Sequence, residues 1–288
     1  MAHEPRILVV EGNTKAACSA MEQAGGVPNG ALYARTLKEL FPTIKTDLVY
    51  PAEANETLPS GAALADYDGV AVGGSALRAA DVDDPVVSRQ VELARAVFES
   101  GTPFFGSCWA AQIAAVAAGG VVQASPFGRE VGVARKIAIT PEGAGHPLFV
   151  GKPHVFDALC IHFDEITHLP PGAVVLATND HSRVQAVSMT YRGGTFHGVQ
   201  YHPEYDLPQM ATLIDRYWDA MADQGFYVDQ AAAQRHADLL RALHQNPSRT
   251  DIAWLLGMDE DILDRNVHTR EIRNWVERIV VPAMSGRR

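Results

Sequence analysis

Cysteine is scarce in this chain: Cys18, Cys108 and Cys160 are the three among 288 residues. Their number is odd and their spacing wide, and no Cys-x-x-Cys pair occurs, which excludes a disulfide framework and a cysteine-based structural zinc site. Such usage fits a reducing compartment, so a cytoplasmic protein with one reactive thiol is expected. Long apolar runs are lacking as well. The opening MAHEPRILVV has only a short apolar run after Arg6 and no small-residue cleavage site, and it reads as a first strand rather than a secretory signal. No uninterrupted stretch reaches the roughly 18 apolar residues that a membrane span needs. Positive charge is in deficit: 24 Lys plus Arg face 34 Asp plus Glu, a formal charge of −10, and no basic stretch exceeds the terminal Arg287-Arg288. Neither nucleic acid nor a membrane is therefore expected as a partner. Glycine-rich phosphate loops, HExxH and other zinc-ligand spacings, internal repeats and low-complexity tracts are absent, so no metal or cofactor is expected.

What is present is a chain with 47% hydrophobic and 20% charged residues, enough to bury one large core and a small appendage. Short apolar runs recur at 6–10, 46–50, 69–74, 103–108, 135–140, 173–178, 185–189 and 196–202. Their length and near-continuous apolarity suit strands buried on both faces. Helical patterns at 30–41 and 85–100 lie between them, the second with a stripe of Val87, Val91, Leu93, Ala94 and Phe98. The alternation predicts an α/β fold with an open, mostly parallel sheet flanked by helices, and residues 173–202 leave no room for crossover helices, so the sheet is expected to be mixed. A helix over 208–225 closes this first domain, 1–225. Residues 226–288 read as a C-terminal helical extension, with a capping box from Ser248 to Asp251, and cutting the chain after residue 225 is expected to spare the triad while weakening any partner binding, unless the tail is core structure and the shortened chain cannot fold.

Three segments carry chemistry. In TPFFGSCWAAQ (102–112) an apolar strand runs into Gly106-Ser107-Cys108 and a helix starts at once. Such an elbow exposes a nucleophile above a helix N-terminus, where the helix dipole favours negative charge and the backbone N–H of Trp109 can face a developing oxyanion. The plainer alternative is a small buried thiol, the ordinary fate of a free cysteine and the expected one for Cys18 and Cys160. In GVQYHPEYD (198–206) a strand ends at His202, Pro203 fixes the turn, and Glu204 can reach back to the imidazole. Alone this is a surface turn with an incidental ion pair; beside the elbow it is a base with its orienting acid. In YDGVAVGGS (67–75) a strand ends on glycines that can present N–H groups, or it is a plain turn.

Taken in order, these segments resemble the class I, triad-type glutamine amidotransferases, in particular stand-alone domains similar to the glutaminase part of GMP synthase. The resemblance covers about residues 6 to 220. GSCWAAQ looks like the nucleophile motif G-x-C-x-G-x-Q, GVQYHPE matches the histidine and glutamate motif, and VGGS sits where the family has its oxyanion glycines; GREVG (128–132) and CIHFDE (160–165) follow in the family's order. The resemblance implies a flavodoxin-like fold, a catalytic triad of Cys108, His202 and Glu204, an oxyanion hole from Gly74 and Trp109, and substrate contacts from Gln112, His162 and Asp164. It implies a γ-glutamyl thioester on Cys108 and the release of ammonia from glutamine. Arg129 and Glu130 are read either as shaping the pocket or as a structural ion pair. One position departs from the pattern: Ala110 stands where the family has glycine, narrowing the elbow by a methyl group.

Three functions stay open. The chain is a glutaminase serving a separate synthetase subunit, since it has no recognisable ATP loop of its own; or a hydrolase of γ-glutamyl peptides or amides, glutathione-like metabolites among them; or a non-catalytic binding or regulatory protein on the same fold. The expected partner is a small-molecule substrate, and a homo-oligomer is left open.

Overall fold

The computed structural model describes residues 4–286 apart from 57, 60 and 61, so the terminal arginine pair lies outside the described residues. The first strand, β1 (Arg6–Val10), is paired in parallel with β2 (Lys45–Val49) and with β3 (Gly69–Val72). The next parallel neighbours are β4 (Phe104–Ser107) and β11 (Gly194–Val199). Between them in sequence lie β5 (Val121–Ala124), β6 (Glu130–Ile139), β7 (Val155–His162), β8 (Asp164–His168), β9 (Ala173–Thr178) and β10 (Ala186–Tyr191). The main sheet runs β2-β1-β3-β4-β11-β10-β9-β6-β7, antiparallel from β11 onward, while β5 and β8 form a separate two-stranded ribbon. The mixed sheet expected from the sequence is thus observed, with the parallel strands gathered in one half.

Alternation along the parallel strands assigns the two faces. Leu8, Val10, Val70, Val72 and Phe104 point to one side, where α3 (Pro85–Ser100) and α4 (Trp109–Ala117) pack. Ile7, Val9, Ala71 and Phe105 point to the other, against Tyr33 and Leu37 of α2 (Asn29–Leu40). Helix α3 is stopped cleanly at both ends: the Asp84 side chain accepts from the Val86 N–H, and Gly101 closes it in the left-handed region at φ 65°. The remaining helix of the first half, α1 (Lys15–Gln23), contains Cys18.

After α5 (Leu207–Asp223) come α6 (Gln230–Gln245), α7 (Thr250–Leu256), the short α8 (Glu260–Leu263), α9 (Arg265–His268) and α10 (Arg270–Trp275), then a π-helical turn over Val276–Val280 and α11 (Val281–Gly286). The expected capping box does not form: Arg249 occupies the N-cap of α7 without a side-chain bond, and the Ser248 hydroxyl donates to Asn246 instead. Nor do these helices stand apart. Ile272, Trp275, Val276 and Val280 are buried with β1 and β4 in one cluster, and the Trp275 ring stacks on Phe105 at 5.5 Å. A Cβ on Gly69 would lie 2.8 Å from that indole, so β3 owes its close fit to a glycine. No described helix is long and apolar enough to cross a membrane.

Candidate active site

The three chemistry-bearing segments meet because β3, β4 and β11 are neighbours in the parallel half. Val72 is registered with Gly106, Gly106 with Gly198, and Ser107 with Val199. Parallel strands end on the same edge, so the residues that follow them, Gly73-Gly74, Cys108 and Gln200 to Glu204, share one crevice at the carboxyl ends.

Cys108 sits at φ 51°, ψ −101°, strained geometry for a residue with a side chain. Its N–H donates to Val199 O at 2.7 Å, which pins the elbow to β11. Gly106 makes the turn possible, because a Cβ there would lie 2.3 Å from Val72 O and 2.4 Å from the Ala110 methyl. Ala110 is wholly buried and faces that gap, so the methyl group in place of the family's glycine fills space beneath the elbow rather than the cavity.

His202 and Glu204 are buried side by side, the His202 Nδ1–H donating to Glu204 Oε1 at 2.8 Å. Ser107, one residue before the cysteine, donates its hydroxyl to the same oxygen at 2.7 Å. Burial alone would depress the histidine, but the Glu204 charge and the adjacent Cys108 sulfur outweigh it and raise the imidazole pKa to about 10. Nε2, the other ring nitrogen, has no hydrogen-bond partner among the described residues. The ring is clamped by Tyr205, stacked at 3.8 Å; Tyr205 donates its hydroxyl to Asn29 Oδ1 at 3.0 Å, and the Asn29 amide donates to Gly74 O at 2.8 Å. A Cβ on Gly74 would strike the His202 ring at 2.8 Å. Trp109 opens α4, its indole N–H donating to Gln90 at 2.8 Å, so its ring is held away from the crevice.

Cys108 and His202 line a cavity of about 290 Å³. One end is polar. There Arg78 donates through Nε and Nη2 to the two oxygens of Asp164, each at 3.1 Å, and the Gln112 amide donates to the backbone O of Asp164 at 2.8 Å. His162 lines this end too, but both its nitrogens are engaged, Nε2 with Glu130 at 2.8 Å and Nδ1 with Asp164 O at 3.2 Å. Glu130 also accepts from Asn179 and Gln185, each at 2.7 Å, and these bonds together with His162 hold its pKa below the usual value despite burial. Glu130 therefore does not pair with Arg129. The cavity is also lined by the polar Asn13, Asn29 and Ser75 and by a mainly apolar wall of Ala17 and Met21 of α1, Pro28, and Leu213, Tyr217 and Ala220 of α5, which is broken at Tyr217 (φ −117°, ψ 20°).

A family model described as "Glutamine amidotransferase class-I" matches residues 32–218. The chain belongs to this family. Over 284 residues, 96% of this chain and 94% of the other, it is 33% identical to a γ-glutamyl-L-1-hydroxyisopropylamide hydrolase from a Pseudomonas species. To the GMP synthase of Lactococcus lactis it is 39% identical over 108 residues, 38% of this chain and 20% of that one. The fold is that of a Thermotoga maritima glutamine amidotransferase, at a TM-score of 0.67 and 18% identity, covering 96% of this chain and 99% of the other. The protein is an amide hydrolase of the glutamine amidotransferase type.

In this amidotransferase the predicted residues Cys108, His202, Gln112, His162 and Asp164 line one cavity, with Glu204, Gly74 and Trp109 immediately behind it. Sequence reasoning missed Asn29, Tyr205, Arg78 and Ser107. Asn29 and Arg78 come from a helix start and a turn with no motif of their own, whereas Tyr205 lay inside GVQYHPEYD and Ser107 inside the elbow motif, and both could have been tested as partners of the triad.

Proposed function

We propose that this amidotransferase-type enzyme hydrolyses γ-glutamyl amides whose nitrogen bears a small, mainly apolar substituent, in preference to free glutamine. The observation that carries the reading is the apolar wall of Met21, Pro28, Leu213 and Tyr217 beside Cys108 and His202. The unsubstituted amide of glutamine would leave such a wall in contact with water, whereas an N-alkyl group would bury it. The Pseudomonas relative points the same way, since its name gives it a γ-glutamyl amide with a hydroxyisopropyl group on nitrogen.

In the proposed reaction the Cys108 sulfur attacks the γ-carbonyl carbon, its proton lodged on His202, and the carbonyl oxygen turns toward the N–H groups of Gly74 and Trp109. The C–N bond breaks as His202 Nε2 gives its proton to the departing amine. Water then loses a proton to Nε2 and attacks the thioester, the S–C bond breaks, and glutamate leaves with the sulfur restored. Glu204, fixed by Ser107, holds the imidazole in the required tautomer throughout. Three free cysteines suit a reducing cytoplasm as the place of action.

The test is a comparison of kcat/KM for glutamine and for γ-glutamyl isopropylamide and hydroxyisopropylamide, with the acyl-enzyme trapped by mass spectrometry. The substituted amides are expected to be at least tenfold better, about the value of one or two methylenes buried in an apolar pocket. Faster turnover of glutamine would overturn the preference. It would favour a second reading to which the GMP synthase match lends support, ammonia release to a separate synthetase.

A further inference from the structure

At the polar end Arg129 carries a charge that no ion pair among the described residues answers. It lies in the loop between β5 and β6, directly before Glu130, and lines the cavity. Its Nε donates to the Gln224 side-chain oxygen at 3.1 Å beyond the end of α5, and its guanidinium carbon stands 5.6 Å from the Phe163 ring centroid. The side chain is thus held in place, yet among the described residues no carboxylate lies within ion-pair distance of it. Arg78 and Arg135 differ in this respect, each joined to an aspartate, Asp164 and Asp157. Burial works against its charge and lowers its pKa, partly offset by Asp164, Tyr217 and Cys108. A half-buried cation facing a cavity is stabilised most by an anion that enters that cavity.

We propose that Arg129 binds the α-carboxylate of the γ-glutamyl group through its free Nη atoms, while Asp164 takes the α-ammonium. Asp164 can do so without losing Arg78, since a carboxylate accepts about four hydrogen bonds and Arg78 occupies two. The two charges of the amino-acid head are then read on opposite sides, and the γ-carbonyl is left to reach Cys108. This assignment rests on the γ-glutamyl reading above and adds the residue that selects for the head rather than for the leaving amine.

The experiment compares wild type, Arg129→Gln and Arg129→Lys on three isopropylamides: γ-glutamyl, glutaryl (carboxylate kept, amine removed) and 4-aminobutanoyl (amine kept, carboxylate removed). For Arg129→Gln the ratio of kcat/KM between the γ-glutamyl and 4-aminobutanoyl amides should fall by about 10- to 100-fold, the range of a hydrogen bond to a charged group, mainly through KM. The glutaryl amide should lose as much as the γ-glutamyl one, and Arg129→Lys should restore part of the ratio. Because a ratio is read, a partly unfolded preparation does not imitate the result. An equal loss on all three amides, or an unchanged ratio, overturns the role of Arg129 while leaving the γ-glutamyl reading standing. If wild type cleaves the 4-aminobutanoyl amide as well as the γ-glutamyl one, the head is not read at all and both proposals fall.

Discussion

The polar end of the cavity and its apolar wall are made in different ways. The polar end is a set of strand termini and the turns that follow them, cross-braced by hydrogen bonds: Arg78 on Asp164, His162 on Glu130, Glu130 on Asn179 and Gln185, Ser107 and His202 on Glu204. The wall is two helices, α1 and α5, presenting Met21, Leu213 and Tyr217 without directional bonds to the cavity. A braced polar site fixes atoms to the tolerance that bond making needs, and breaking one brace leaves a buried group unpaired. An apolar wall tolerates exchange of one side chain for another of similar volume. Under the proposed function, the reaction belongs to the strand ends and the choice of leaving amine to the helices.

The strongest challenge to that division is removal of the tail. Cutting after Gly225 deletes Trp275 from the core beneath Phe105, Glu271 from its 2.6 Å bond with the Tyr201 hydroxyl, and His268 from its 2.9 Å bond with Tyr205 O. All three act on residues at or beside the catalytic edge, and the loss of one buried tryptophan alone costs about 3–5 kcal/mol, comparable with the stability of a whole domain. The packing favours the tail as core structure over a dispensable appendage: the shortened chain should lack a cooperative thermal transition, and a normal one would show the tail to be dispensable.

Next in size is Cys108→Ala, expected to lower turnover by at least about 10⁴-fold while the melting temperature stays close to that of wild type. Residual turnover near wild type would remove the strand ends from the chemistry. Glu204→Gln should cost about 10²-fold or more and shift the pH profile. With the glutamate charge gone, burial works on His202 with less opposition, so the alkaline limb of kcat/KM moves from about pH 10 to lower pH. Stability carries the same sign: a histidine whose folded pKa is raised contributes fully below its unfolded value of about 6.5, and that contribution fades as pH rises through about 10. An unmoved alkaline limb would dissociate Glu204 from His202. The smallest effect belongs to the wall. Leu213→Ala should reduce kcat/KM for γ-glutamyl isopropylamide by about tenfold and leave glutamine within about twofold, as loss of apolar contact to a substituent only one substrate carries. Equal losses on both substrates would show the wall to be structural.

Much of this was legible in the chain itself. Parallel strands buried on both faces announce themselves as continuous apolar runs, and the elbow, the His-Pro-Glu turn and the paired glycines stood out because each couples a strand end to unusual backbone chemistry. Strands β5, β7 and β8 were not legible. β8 reads Asp-Glu-Ile-Thr-His, and β7 holds Asp157, whose carboxylate serves Arg135 and the Lys136 N–H; such strands are specified by ladder bonds and side-chain partners far away in sequence. The capping box failed for a local reason, Asn246 capturing the Ser248 hydroxyl first.

By itself, then, the sequence determined the layered α/β plan and singled out the candidate reacting groups, because periodicity and turn chemistry act over a few residues. Only the tertiary structure decided what surrounds those groups. Sheet order placed β3, β4 and β11 side by side; the tail closed over the second face; α1 and α5 became a wall; and Arg129 was left lining the cavity without an ion-pair partner among the described residues. Each of these depends on contacts between segments tens to hundreds of residues apart, and no local pattern encodes which distant side chain will arrive.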